Sequence, residues 1–140
     1  MASSETVSGH RLEGSLFRAA DALASAIDAP PDAPAWDAGI RAALRRATLA
    51  VEARLDSLLA ADGTATEIAL NEPRLLPALD RLEGALAGLL VDVWEARGQP
   101  SALGPGFIAR LARLVDEMRH IAGSEYALVL ESLNATGPLD

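Results

Sequence analysis

The chain has 140 residues, which is enough for one domain with a sizeable core. Half of the residues are apolar but only 4 % are aromatic, so the core must be aliphatic, as is typical of helix bundles rather than of β-sandwiches. The formal net charge of −8 argues against a nucleic acid or an anionic membrane as the partner, because both attract a cationic surface.

The sequence carries no thiol and no targeting signal. The absence of cysteine excludes disulfides, thiol catalysis and thiolate metal sites. Residues 1–9 lack the basic start and the apolar run of a signal peptide, and no run of about eighteen apolar residues exists to cross a membrane. We therefore expect a cytoplasmic protein with no membrane partner.

The first half of the chain predicts two helices. After a polar arm over residues 1–8, apolar residues recur at helical spacing over residues 9–27. The prolines within residues 28–34 end this helix, because proline removes a donor and clashes with the preceding turn. The second helix begins near Ala35 and is expected to end at Gly63, which suits a C-cap.

The second half predicts two more helices and no strand. Residues 64–71 are ambiguous between a loop and a further helical turn. Asn71 resembles an N-cap, because Glu and Pro follow it, and opens the third predicted helix. Beyond a loop rich in glycine and proline over residues 98–106, the fourth helix spans residues 107–133, and a polar tail covers 134–140.

Short loops join these helices, which predicts an all-α fold, an antiparallel up-down four-helix bundle over residues 9–133. Residues on the apolar stripes should be largely buried, and truncation of a buried leucine should cost about 2–5 kcal/mol. The expected core residues are Leu16, Leu23, Leu44, Val51, Leu86, Leu90, Leu111, Met118 and Val129.

The chain also repeats itself at an offset of 70 residues. Residues 11–16 (RLEGSL) recur at 81–86 (RLEGAL), and the same offset pairs Leu44 with Leu114. The pattern indicates a duplicated helical hairpin, with repeats over residues 9–63 and 79–133. Chance similarity is the alternative, because Leu and Ala are so frequent in this chain.

A duplicated hairpin bundle with Leu-x-x-Leu spacing around the RLEG segments, and with the run HIAGSEYALVLESL at residues 120–133, resembles the hemerythrin-like family. In that family each hairpin supplies a His from its first helix, and a His with a Glu four residues later from its second. Together these side chains hold two irons. The resemblance covers residues 9–133.

The resemblance implies which positions would hold iron ligands, and most of them lack a ligand here. Val51 and Ile121 stand in place of the histidines of the second helices, and Leu55 in place of one of the two following glutamates. The carboxylates that remain at or beside ligand positions are Glu13, Glu83 and Glu125, while Gly14 and Gly84 are the other candidates for the first-helix histidine positions. The resemblance therefore implies a member that has lost its iron site, or alternatively a reduced, carboxylate-rich site with oxygen-related chemistry.

Glu125 lies in the middle of the apolar stripe of the fourth predicted helix. A buried, unpaired carboxylate is too costly to keep, so something must neutralise it. Arg54 lies on the inward edge of the second helix, one position from the repeat counterpart of Glu125, and predicts a buried ion pair. A ligand or a metal at Glu125 is the alternative.

His120 ends the sequence Glu117-Met-Arg-His, which matches the Glu-x-x-His spacing of ferritin-like di-iron proteins. The helical wheel places His120 opposite Met118 and Ala122, toward solvent, and no second such motif exists. The HIAGS run also resembles, loosely, the motif of histidine phosphotransfer domains, but that family's Lys-Gly pair is absent and the chain has no Lys. We interpret His120 as an ordinary surface residue.

Three large apolar residues lie off the main core stripes of the first and third predicted helices, namely Phe17, Val91 and Trp94. No fifth helix is predicted to cover them, which favours a dimer or another protein partner. A nucleophile is also missing, because the chain has no Cys, no Gly-x-Ser-x-Gly and no Ser with an activating His and acid. The sequence favours a non-enzymatic binding or assembly module without a cofactor, with iron as the alternative.

Overall fold

A computed structural model of the chain describes residues 4–30, 35–60, 63–99 and 105–136. All regular structure in these ranges is helical, which confirms the all-α prediction. The elements are α1 (Ser4–Asp28), α2 (Trp36–Leu59), α3 (Thr64–Asn71), a 3-10 turn (Pro73–Leu75), α4 (Leu76–Gly98) and α5 (Pro105–Thr136). Within the described part of the chain, no helix has the length and apolarity that a membrane span requires.

The outermost helices are longer than the sequence predicted. Helix α1 begins at Ser4, so residues 4–8 are helical where a polar arm was expected. Helix α5 continues to Thr136, three residues beyond the predicted end. The reason is that apolar periodicity predicts that a helix exists but does not mark its ends where the sequence becomes polar. Residues 1–3 of the predicted arm and 137–140 of the predicted tail lie outside the described residues.

The junction after α2 differs from the predicted glycine C-cap. Helix α2 ends at Leu59, and Gly63 is the N-cap residue of α3, with φ −93° and ψ −174°. Glycine is needed there for space, because an added Cβ would lie 2.1 Å from the Ser57 carbonyl oxygen. The Gly63 amide also donates to the Ala60 carbonyl at 2.8 Å. The chain thus packs its backbone directly on the last turn of α2.

Helix α3 resolves the ambiguity that the sequence left over residues 64–71. It is held by Ile68, which is fully buried, while Leu70 is exposed. Asn71 is the last residue of α3, so its predicted role as the N-cap of the next helix is wrong. The chain turns at Glu72 (φ −148°, ψ 66°), and the 3-10 turn then leads into α4.

The core is aliphatic, as the composition indicated. Seven of the nine predicted core residues have no exposed surface, namely Leu16, Leu23, Leu44, Val51, Leu86, Leu111 and Met118. Leu90 and Val129 are only half-buried. Their neighbours Leu89 and Leu128 are the buried ones, so at these two positions the inward stripe lies one residue earlier than predicted.

The order in which the long helices pack determines which of their residues lie close together at the candidate site. Helix α1 packs against α2 and α5, and α4 packs against the same two helices. The short α3 contacts α2, α4 and α5. Each long helix therefore buries one stripe against two neighbours and leaves an opposite stripe outward.

Candidate functional site

The structure brings together Arg54 of α2 and Glu125 of α5, the two charged residues that the sequence placed on inward stripes. Their side chains are only 5 % and 6 % exposed. The Arg54 Nε donates to Glu125 Oε1 at 2.9 Å, and the Arg54 Nη2 donates to Glu125 Oε2. This bidentate geometry occupies both carboxylate oxygens with charge-assisted hydrogen bonds.

One nitrogen of the Arg54 guanidinium takes no part in the pairing. The Arg54 Nη1 is buried and has no hydrogen-bond partner. An unsatisfied buried donor costs about 1–3 kcal/mol, so the pair is not fully compensated. The net contribution of the pair to stability is therefore small, whereas loss of one partner would leave an uncompensated buried charge.

The positions that the resemblance to the hemerythrin-like family assigns to iron ligands carry residues that do not fit a pair of irons. Val51 and Ile121 are buried and apolar, and Arg54 occupies both oxygens of Glu125. Glu83 is half-buried on α4, whereas the side chain of Glu13 lies outside the described residues. Among the described residues, no three His, Asp or Glu side chains come close enough to hold a metal ion. Imidazoles and several free carboxylates are the donors that such a centre requires.

Gly84 was a candidate for an inward position and proves to lie outside. It is exposed, and a Cβ added there would meet nothing within 4 Å. Leu82 and Leu86 are the residues of this turn of α4 that enter the core. Gly14 lies among the residues whose surroundings are not described.

His120 is exposed on α5, as the wheel predicted. It borders an open groove of about 410 Å³ between α4 and α5, whose rim also includes Arg81 and Ser124. Glu117 is likewise exposed, and it faces Asp92 across the two helices. Partial loss of hydration where the helices cover its carboxyl, then the Asp92 charge and a side-chain hydrogen bond with Asp92, raise the pKa of Glu117 above its ordinary value of 4.5. Glu117 therefore keeps its proton to a higher pH than an isolated glutamate does.

A polar cluster between α2 and α4 was missed at the sequence level. The Arg41 Nη1 donates to the Arg97 carbonyl at 2.7 Å, and its Nη2 donates to the Gln99 carbonyl at 2.6 Å. The Arg97 Nη1 donates to Thr48 Oγ1 at 3.2 Å. Arg41 thus satisfies carbonyls at the C-terminus of α4, where a cation is favoured. The only sequence signal is an arginine near the start of α2, and that signal does not indicate which carbonyls the arginine contacts.

The three residues of the predicted dimer face do not share one surface. Phe17 lies on α1, where it is half-buried and packs against the core. Val91 and Trp94 lie on α4 and are 55 % and 50 % exposed. The Trp94 ring carries the Arg97 guanidinium 4.2 Å from its centroid. Only the α4 part of the predicted face is therefore open.

The outward side of α4 is poor in polar groups between two charged residues. We call this side the α4 outer face, and all of its residues are exposed: Arg81, Gly84, Ala85, Ala87, Gly88, Val91, Trp94 and Glu95. Nothing lies within 4 Å of a Cβ added at Gly84 or at Gly88. Between Arg81 and Glu95, the exposed residues of this face are all apolar or glycine.

No protein-family model, curated protein or solved structure matches the chain.

Proposed function

We propose that this chain is a non-enzymatic, cytoplasmic binding or assembly module that associates through the α4 outer face. The exposure of Val91 and Trp94 beside Gly84 and Gly88 carries the proposal, because grouped exposed apolar residues mark interaction sites. The net charge of −8 supports a protein partner rather than a nucleic acid. The engagement of Glu125 by Arg54 also supports a structural role for the one carboxylate buried among the described residues.

This proposal includes an antiparallel up-down bundle, and ion pairs between the helices support that arrangement. Arg74, just before α4, pairs with Glu131 near the end of α5 at 3.4 Å. Glu95 near the end of α4 pairs with Arg110 near the start of α5 at 2.8 Å. Antiparallel neighbours make such contacts. Arg41, near the start of α2, donates to carbonyls at the end of α4. This contact supports an antiparallel arrangement of α2 and α4 as well.

The proposed origin is a duplicated hairpin of the hemerythrin-like kind that has lost its iron ligands. Helix α1 ends at Asp28 and α4 at Gly98, which are 70 residues apart. Leu16 and Leu23 are fully buried, as are their repeat counterparts Leu86 and Val93. These coincidences support the duplication, and the apolar Val51 and Ile121 support the loss of iron chemistry.

Sedimentation velocity over a range of concentrations tests the association. We expect the wild-type chain to sediment as an assembly larger than 14.6 kDa, and the double variant Val91→Ser/Trp94→Ser to sediment as a monomer. Leu49→Ser is the matched control, because Leu49 is 67 % exposed on α2 and should leave the assembly intact. An assembly that survives the double variant would refute a role for the α4 outer face.

Metal analysis of protein purified from iron-supplemented cells tests the loss of iron chemistry. The proposal expects no stoichiometric iron. Iron at one or more equivalents with a visible absorbance band would instead support the reduced-site alternative. Glu125→Gln then gives the decisive comparison, because it would release iron if Glu125 were a ligand, whereas in the proposed module it only weakens the pairing with Arg54.

A further inference from the structure

We infer that the partner on the α4 outer face is a second copy of this chain, whose α4 crosses the first in the antiparallel sense about a twofold axis at Gly88. The inference rests on the proposed function and names its partner. A twofold axis at Gly88 brings each residue before Gly88 to the level of the residue equally far after it in the other copy, and the two face each other where both lie near the line of contact. The face can therefore be tested for self-complementarity residue by residue.

The charges on the face are complementary under this operation. Arg81 lies seven residues before Gly88 and Glu95 lies seven residues after it, which is about two helical turns in each direction. The twofold operation places Arg81 of each copy against Glu95 of the other, so the contact forms twice. A parallel arrangement would place Arg81 against Arg81 and Glu95 against Glu95. Charge therefore selects the antiparallel arrangement.

Both charged residues are available for the contact. Arg81 is exposed and forms no ion pair within the described part of the chain. Glu95 pairs with Arg110 at 2.8 Å, but its side chain remains 58 % exposed. A carboxylate has two oxygens and can accept from a second guanidinium. The contact adds a cation to Glu95 without removing the existing one.

The shape of the face agrees with the charges. Gly88 lies on the axis and Gly84 one turn away, so that the two backbones can approach closely, since neither position has a neighbour within 4 Å. Val91, three residues after Gly88, lies on the same side of the contact line as Gly84 of the other copy and near its level, so the largest aliphatic side chain of the centre faces a glycine. Large against small is the arrangement that close helix packing needs.

Charge exchange tests this geometry. At about 0.15 M salt, where close pairs are only partly screened, Arg81→Glu alone and Glu95→Arg alone should each weaken the dimer by at least about tenfold in Kd, because each places like charges together twice. The double variant Arg81→Glu/Glu95→Arg should restore the dimer. An equimolar mixture of the two single variants should also dimerise, because both of its contacts are then between opposite charges.

Two controls separate the interface from other effects of charge. Arg18→Glu makes the same charge change on an exposed position of α1 and should leave the dimer unchanged. Arg110→Gln removes the intramolecular partner of Glu95 and should not weaken the dimer. Circular dichroism of every variant checks that the helices are retained.

The possible failures are distinguishable. A wild-type chain that stays monomeric at every concentration overturns the second-copy inference and the self-association expected of the proposed module, and leaves only a different protein as the partner of the face. A dimer that Val91→Ser/Trp94→Ser abolishes, but that charge exchange does not affect, overturns the antiparallel geometry and leaves the proposed face standing. A dimer that neither set of variants affects overturns both the inference and the proposed function.

Discussion

At the scale of single residues, the most informative contact is the pair of Arg54 and Glu125. The interior of a bundle gains from apolar packing, and a charge there loses its hydration. Arg54 satisfies both oxygens of Glu125, yet its Nη1 remains without a partner. The pair is therefore costly to break and of small net benefit when intact.

Breaking the pair and replacing it should have opposite effects. Glu125→Leu leaves a buried guanidinium uncompensated and should lower the free energy of unfolding by about 3–5 kcal/mol. The double variant Arg54→Met/Glu125→Leu should be neutral or more stable than wild type, by up to about 4 kcal/mol. Urea denaturation measures both. Arg119→Ala removes an exposed pair with Asp21 and should cost less than about 1 kcal/mol. A double variant as unstable as Glu125→Leu would contradict this account.

Glu117 predicts a pH dependence of stability. Its pKa is raised in the folded chain, so the stability it contributes is present below its ordinary pKa and is lost as the pH rises through the folded value. Glu117→Gln cannot ionise beside Asp92 and should be more stable than wild type at neutral pH. The difference should shrink as the pH falls to about 4.5. Thermal midpoints from pH 4 to about pH 7 measure it, with Asp116→Asn as the control. A gain that does not depend on pH would contradict the assignment.

At the scale of the elements, the turn between α2 and α3 depends on the small size of Gly63. Its backbone is extended, and all described glycines lack a positive φ, so conformational freedom is not the reason for glycine here. The reason is close approach, since a Cβ would lie 2.1, 3.1 and 3.2 Å from three carbonyl oxygens of the preceding residues. Three backbone oxygens cannot move aside as a flexible side chain can.

Gly63→Ala should therefore destabilise the chain by about 1–3 kcal/mol, the usual cost of overpacking. Gly123→Ala is the matched control, because Gly123 lies within α5 and a Cβ there meets nothing within 4 Å. It should stabilise the chain by about 0.5–1 kcal/mol through helix propensity. Thermal denaturation of both variants decides the matter. Equal effects of the same sign would refute the steric explanation.

At the scale of the whole molecule, association and folding should be coupled. A partner that binds only the folded chain stabilises it by mass action. The thermal midpoint of the wild type should therefore rise with protein concentration, whereas that of Val91→Ser/Trp94→Ser should not. Differential scanning fluorimetry over a hundredfold range of protein concentration measures the difference. Over that range, mass action changes the free energy of unfolding by at most about 2.7 kcal/mol. A midpoint that stays constant for both proteins would contradict self-association.

Much of the fold follows from the sequence alone, because it depends on interactions close along the chain. Apolar residues at helical spacing predicted the four long helices, and the prolines between Asp28 and Trp36 predicted where α1 and α2 separate. The core residues Leu16, Val51 and Met118 followed from the same stripes. A helix that buries one face has apolar residues at a regular spacing, and this spacing can be recognised in the sequence.

The tertiary structure decided what depends on the order and rotation of the packed helices. The wheel of α4 alone could not show that Leu89 is more buried than Leu90, or that Gly84 points outward. Helix α3 is stabilised by the burial of Ile68 against helices that are distant in sequence. Eight residues are too few for a stable isolated helix, so the sequence of this segment does not predict it. The contact of Asp92 with Glu117 and that of Arg41 with the end of α4 join residues far apart in sequence, and only the way in which the helices pack brings these groups together.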